Sequence, residues 1–287
     1  MALDDGSVIV CEIEAGRITR VSPDGTKETV AETGGGPNGA ALGPDGRLYV
    51  CNSGGFAFSD MGGLLVPGDH PPDHTGGSIQ VVELSSGRVE TLYTHCGEVT
   101  LNSPNDLVFD AQGGFYFTDF GRSMNRRRDH GAVYYAYPDG RHIREVIYPL
   151  VTPNGIGLSP GGTQLIVAES YTGRLWGFDL VAPGETAPRS PLDPGHLLYN
   201  HAGYRVFDSL AVAVDGRVCV GSCVEGGITV VDPEAGRAHL VPMEDSLVTN
   251  LCFGGERRRT AFVCLSATGQ LGLTDLGVAG LALHGAA

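Results

Sequence analysis

The chain has 287 residues, 41% of them hydrophobic, and a formal net charge of −14. That apolar share supports a large core and excludes global disorder. The acidic balance excludes nucleic acid as a partner, because its phosphates would be repelled, and it agrees with attraction of cations.

The chain opens at 3–13 (LDDGSVIVCEI) with a turn, an apolar strand and a stop. This matches the later part of a unit repeated further on. Its earlier part would precede Met1, so the first unit is expected to be incomplete. At 16–32 (GRITRVSPDGTKETVAE) two alternating strands flank a Pro-Asp-Gly turn, the pattern of strands with one covered face. Segment 36–53 (GPNGAALGPDGRLYVCNS) sets the full pattern. It runs Pro-Asn, apolar strand, Gly-rich turn, second apolar strand, small polar stop.

The stretch 52–76 is rich in Gly, Pro, Asp and His, a length and composition typical of lids or partner contacts. His70 and His74 lie four apart there, but Pro71 and Pro72 forbid a helix between them. They are expected to be loop histidines, not a metal-binding helix face. Another alternating pair follows at 77–94, and the core pattern returns at 103–120 (SPNDLVFDAQGGFYFTDF). The basic run with Arg126, Arg127 and Arg128 reads as a solvated loop. Alternating pairs or single strands recur at 131–148, 173–180, 226–243 and 269–276. Cores recur at 152–170 (TPNGIGLSPGGTQLIVAES), 206–222 (VFDSLAVAVDGRVCVGS) and 248–266 (VTNLCFGGERRRTAFVCLS). Segment 181–204 is expected to be a second long loop. No stretch shows sustained helical periodicity.

A repeat of roughly 50 residues with Gly turns signals a radial β architecture. Two strands per core and two per alternating half make four-stranded units. The expectation is an all-β, six-bladed β-propeller of antiparallel blades around a central channel, with residues 1–287 forming one domain. Asn38, Asn105, Asn154, Asp208 and Asn250 would then begin the inner strands at one mouth. Pro-Asn-Gly alone is ordinary turn chemistry. Three copies in register, joined by an acid and a further amide, point to a shared purpose. Converging amide and carboxylate oxygens suit one hard divalent cation, Ca2+ first, with Mg2+, Mn2+ and Zn2+ as alternatives. Asp208 stands in the apolar setting Val206-Phe207 and Leu210-Ala211-Val212, where a carboxylate is costly unless it is paired or metal-bound.

The order of SPNDLVFD, TPNGIGLSP and FDSLAV resembles the senescence marker protein, gluconolactonase and luciferin-regenerating family, over nearly the whole chain. The resemblance implies a six-bladed propeller with one divalent cation in its channel, acting on lactones or related esters. It also implies four protein ligands: a first-blade Glu, two Asn and an Asp. Asn105, Asn154 and Asp208 match three of these. The Glu belongs to a Glu-Gly-Pro motif that would fall upstream of Met1. Three explanations stand beside one another: a longer natural product, replacement by a residue such as Asn38, or a degraded site. Family members also grip substrate hydroxyls with a polar residue, often Arg, two positions before the first metal Asn. That position is Ser103 here.

The expected function is therefore metal-dependent opening of a small-molecule lactone or ester. Asp208 would be general base as well as ligand, and Asn38, Ser103, Asn105 and Asn250 would touch substrate. The alternatives are an organophosphate hydrolase on the same scaffold and a metal-binding propeller without turnover. No GxSxG elbow supports a serine hydrolase. The seven cysteines are odd in number and form no CxxC pair, which argues against disulfides and zinc clusters. With no signal peptide and no long apolar run, the expectation is a cytoplasmic protein, monomer or homodimer, without a membrane partner.

Overall fold

The computed structural model describes residues 1–188, 190 and 195–285. Strands alternate with turns along its whole length, and the helical element among the described residues is a short 3-10 turn at Glu256–Arg258. Among the described residues no helix is long and apolar enough to cross a membrane. Six antiparallel sheets of three to five strands are the blades of a six-bladed β-propeller. They fall into two compact units, Met1–Leu150 with Leu283–Ala287, and Val151–Ala282.

In the first unit, Val8–Glu12, Arg17–Val21 and Lys27–Glu32 form a three-stranded first blade. The second blade orders Pro37–Leu42, Leu48–Asn52, Ser78–Glu83 and Arg88–Tyr93. The third orders Pro104–Phe109, Phe115–Asp119, Gly131–Ala136 and Ile143–Leu150. The three inner strands of the third blade are buried at every position. Both of their faces are covered, which is why FYFTD and GAVYYA read as nearly continuous apolar runs. The core between the second and third blades is aromatic: Tyr49 meets Phe109 edge-on at 5.1 Å, and Phe117 stacks on Tyr134 at 5.3 Å. The outer strand Arg88–Tyr93 carries its charges outward and is half exposed, which discourages pairing with another chain.

The second unit repeats the plan with an aliphatic core. Its blades are built on the inner strands Pro153–Leu158, Val206–Val212 and Val248–Gly254. Segment 181–204 departs from the expected loop. The strand Arg174–Ala182 turns back through Glu185–Thr186, and His196–Asn200 is the outer strand of the fourth blade. Residues 189 and 191–194 of that segment lie outside the described residues. In 52–76, Phe58–Asp60 pairs with Leu65–Pro67 as a small hairpin.

Candidate functional site

Each polar residue that the repeat singles out, apart from Asn250, begins an inner strand at a β-bulge. In the second blade Pro37 pairs with Asn52 and Ala40 with Val50, so Asn38 and Gly39 together oppose Cys51. The same two-against-one shift holds Asn105 and Asp106, Asn154 and Gly155, and Asp208 and Ser209. A bulge kinks the strand and re-aims a side chain. The repeat of Pro-Asn is therefore a repeat of bulges, not of turns. In the sixth blade the extra residue is Thr249, between the pairs Val248–Leu265 and Asn250–Cys264. Thr249, not Asn250, holds the bulge position, and its Oγ1 lies 2.5 Å from Ser266 Oγ.

The residue after the bulged amide sits where two inner strands touch. A Cβ on Gly39 would stand 2.6 Å from the Asn105 carbonyl oxygen and the Asp106 Cα. One on Gly155 would stand 2.7 Å from the Ser209 Cα. Only glycine permits such an approach of one backbone to another.

The ends of the second strands pin the segments that lead into these bulges. Asn52 Oδ1 accepts from the N–H of Gly36 at 2.9 Å. Asp119 accepts from the N–H groups of Asn102 at 2.7 Å, Ser103 at 2.9 Å and Gly121 at 2.9 Å. Burial pushes the Asp119 carboxyl up from the ordinary carboxylate range, and these three donors oppose the rise. Glu169 accepts from Val151 N–H at 2.8 Å and from Thr172 Oγ1 at 2.7 Å. Each pin satisfies backbone donors that would otherwise be left without partners.

In the first unit, Asn38 is half-buried, Ser103 fully buried and Asn105 4% exposed. The close approach at Gly39 brings the starts of the strands carrying Asn38 and Asn105 side by side. Asn105 Oδ1 is buried and has no hydrogen-bond partner among the described residues, and the same is true of Ser103 Oγ. Asp106 was passed over by sequence reasoning although it stands inside the SPND motif. It is buried beside Asn105, and its Oδ1 accepts from the Leu107 N–H at 2.9 Å.

In the second unit, the bulges of Asn154 and Asp208 are neighbours. Asn154 Nδ2 donates to Ser170 Oγ at 3.1 Å, and Ser209 Oγ donates to Asn154 Oδ1 at 3.4 Å. Asp208 is half-buried; its Oδ1 accepts from Ser209 N–H at 3.0 Å, and the Cys223 thiol lies 3.7 Å from Oδ2. Burial, and then the Asp208 charge, push the Cys223 thiol far above its ordinary range. Asn250 is half-buried on the neighbouring blade.

No group of three or more His, Cys, Asp or Glu side chains among the described residues is placed to hold a metal ion. The side-chain donors at the bulges include the amide carbonyls of Asn38, Asn105 and Asn154 and the carboxylates of Asp106 and Asp208, and oxygen donors of this kind suit Ca2+. The fit to a cation rests on Asn105: a buried carbonyl oxygen without a donor is costly, and a cation would satisfy it.

Five blades whose inner strands begin at polar bulges, beside a first blade in unbroken register, define a propeller that presents amide and carboxylate oxygens at strand ends. The chain belongs to the family described as SMP-30/Gluconolactonase/LRE-like region, which it matches over residues 1–267. It is 32% identical over 230 residues to the lactonase drp35 of Staphylococcus haemolyticus (strain JCSC1435), covering 79% of this chain and 63% of that protein. The chain thus spans less than two thirds of the length of the curated relatives it matches. Among solved structures it resembles XC5397 of Xanthomonas campestris, described as a gluconolactonase, with a TM-score of 0.70 and 20% identity over 92% of this chain and 80% of that one. It also resembles regucalcin of Agrobacterium tumefaciens str. C58, described as a calcium-binding protein, with a TM-score of 0.71 and 16% identity over 99% and 90%. At these identities the structural likeness speaks for the fold.

Proposed function

We propose that this protein opens a lactone or related ester with the help of one divalent cation, calcium first. Family membership supports the reaction class, and relatives named as lactonases, a gluconolactonase and a calcium-binding protein support the substrate class and the ion. The observation that carries the cation is the buried Asn105 Oδ1 without a donor.

The residues proposed as its ligands are Asn105, Asn154 and Asp208, as the family pattern implies. When bound, a divalent cation polarises the ester carbonyl and makes an attacking water more acidic. Asp208 takes the proton of that water, and its bond from Ser209 N–H holds the carboxylate in one orientation. Asn38, Ser103, Asn105 and Asn250 are proposed to orient substrate. Ser103 is uncharged and fully buried, so it favours a small lactone over one carrying its own charge.

A second reading, cation binding without turnover, draws on the single carboxylate in the proposed ligand set. A lactone panel run with and without EDTA, beside calcium calorimetry, separates the two. Acid release that EDTA abolishes supports the hydrolase. Calcium binding without acid release from any lactone supports the second reading, and EDTA-insensitive hydrolysis rejects both.

A further inference from the structure

The third blade holds a cavity of about 560 Å3 that no part of the proposed chemistry uses. Register places its lining. Asp119 ends the second strand and pairs with Ala132; two residues on, Tyr134 pairs with Glu145 of the outer strand. All four line the cavity. Asp119 and Tyr134 are each 3% exposed, whereas Glu145, Asp129 and Tyr148 stand exposed at its rim.

The second blade has the same positions with a different outcome. Asn52 stands where Asp119 does, Gln80 where Tyr134 does and Thr91 where Glu145 does. There Asn52 Nδ2 donates to Gln80 Oε1 at 2.9 Å, and Gln80 Nε2 donates to the Thr33 carbonyl at 3.2 Å. The pair closes on itself, and the cavity beside it is lined by no Asp, Glu, Lys or Arg.

In the third blade the pair stays open. Tyr134 stacks its ring on Phe117, and its hydroxyl has no hydrogen-bond partner among the described residues. The Glu145 carboxylate likewise makes no hydrogen bond or ion pair among them. Asp119 Oδ1 accepts from the N–H groups of Ser103 and Gly121 and Oδ2 from that of Asn102 alone, so Oδ2 keeps a lone pair. The carboxylates of Asp119, Asp129 and Glu145 share the cavity with one guanidinium, that of Arg128, whose Nε is already tied to Ser123 Oγ at 2.8 Å. Burial, and then the Asp119 and Glu145 charges, push the Tyr134 phenol above its ordinary range, so it keeps its proton at neutral pH.

We propose that this cavity binds a small primary ammonium ion. An ammonium brings three N–H donors to a space lined by Asp119 Oδ2, the Tyr134 oxygen and the Glu145 carboxylate, and its charge offsets the acidic excess. An anion would be repelled, and an alcohol leaves the excess standing. A bare metal ion is poorly served, because no three His, Cys, Asp or Glu side chains among the described residues are grouped to hold one. The exposed ring of Tyr148 offers a face for the cation or its alkyl chain. The site uses none of the proposed calcium ligands and stands or falls apart from the lactone reading.

The test uses the full chain with 13C at the tyrosine ζ carbon, and n-butylammonium chloride, n-butanol, tetramethylammonium chloride and calcium chloride as probes. Butylammonium should shift the Tyr134 resonance along a saturable curve, and butanol should leave it unmoved. Tetramethylammonium has the charge without the N–H groups and should bind about tenfold more weakly or worse. Tyr134→Phe assigns the resonance. Glu145→Gln, at the exposed rim, should weaken butylammonium by about tenfold; should Tyr134→Phe fail to fold, loss of one saturable tyrosine shift in Glu145→Gln decides. No saturable response to butylammonium, an equal response to butanol, or an unchanged affinity in Glu145→Gln overturns the proposal. A saturable response to calcium alone overturns it too, and assigns the cavity to a metal.

Discussion

Gly155 lies directly against Leu210: a Cβ at position 155 would stand 2.5 Å from the Leu210 amide nitrogen. The obstacle is backbone and cannot rotate away. Gly155→Ala should cost about 1–3 kcal/mol, the usual range for overpacking a tight interior. Gly157 makes a control, because a Cβ there would meet only the side-chain ends of Leu210 and Val212, each at 2.9 Å. Gly157→Ala should cost less. Urea unfolding of both variants measures this, and equal losses would contradict the distinction between backbone and side-chain obstacles.

Asn105 separates stability from function. Its Oδ1 has no partner among the described residues, so Asn105→Leu removes an unsatisfied buried acceptor. Stability should hold or rise by about 1 kcal/mol in calcium-free buffer. Calcium affinity should fall by about tenfold or more. Melting curves in EDTA and calorimetric calcium titration report the two effects. A variant that melts well below wild type in EDTA would mean that the amide oxygen has a structural partner.

Asp208→Asn keeps an acceptor for the Ser209 N–H and removes the charge. The fold should persist, and lactone turnover should drop by about 100-fold or more, the contribution expected of a positioned general base. Full turnover in a folded Asp208→Asn protein would remove Asp208 from the mechanism.

His70 makes stability depend on pH in a stated direction. Burial, the neighbouring His74 ring and the Arg122 charge hold its imidazole down at about 4 from the ordinary 6.5, with Asp69 opposing. The unfolded chain takes up the proton near 6.5 and the folded chain resists it until about 4. The stabilisation from a neutral His70 is therefore complete above 6.5 and is lost as pH falls through this window, by a few kcal/mol at most, or about 1.4 per pKa unit. Thermal melts of wild type and His70→Phe should converge as pH falls from 7 to about 4.5. A gap that stays constant across that range would show that His70 titrates normally.

The buried thiols should be inert in the native state. Cys51 is fully buried, burial pushes the Cys219 thiol up to about 12, and Cys223 is raised further by the Asp208 charge. The thiolate is the reactive form. Titration with a thiol reagent near pH 8 should therefore leave these three unmodified until denaturant is added.

The strands were legible because every core alternates a polar start with apolar runs and a Gly turn, and that pattern survives in the structure from Pro37–Leu42 to Val248–Gly254. Three things were hidden. Thr249 was passed over for Asn250 because a bulge is a property of pairing, and pairing partners more than a dozen residues away leave no local mark. The outer strand His196–Asn200 was hidden because the sequence before it is rich in proline, so a partner strand was read as part of a loop. His70 and His74 were read as loop histidines, and they do lie in a loop, but nothing in the sequence showed that contacts with Phe56, Ser123 and Asn102 bury them. Local composition reports conformation; it does not report what packs on top.

The seams at Gly39 and Gly155 have a consequence for variation. Where peptide unit rests on peptide unit with no substituent between, there is no group for mutation to trade. Neither a larger residue nor a more polar one can be accommodated without moving both partners. Laboratory evolution of a new specificity should leave those two sites untouched and spend its diversity on the hairpin at 58–67, whose tip faces solvent and carries none of the joints.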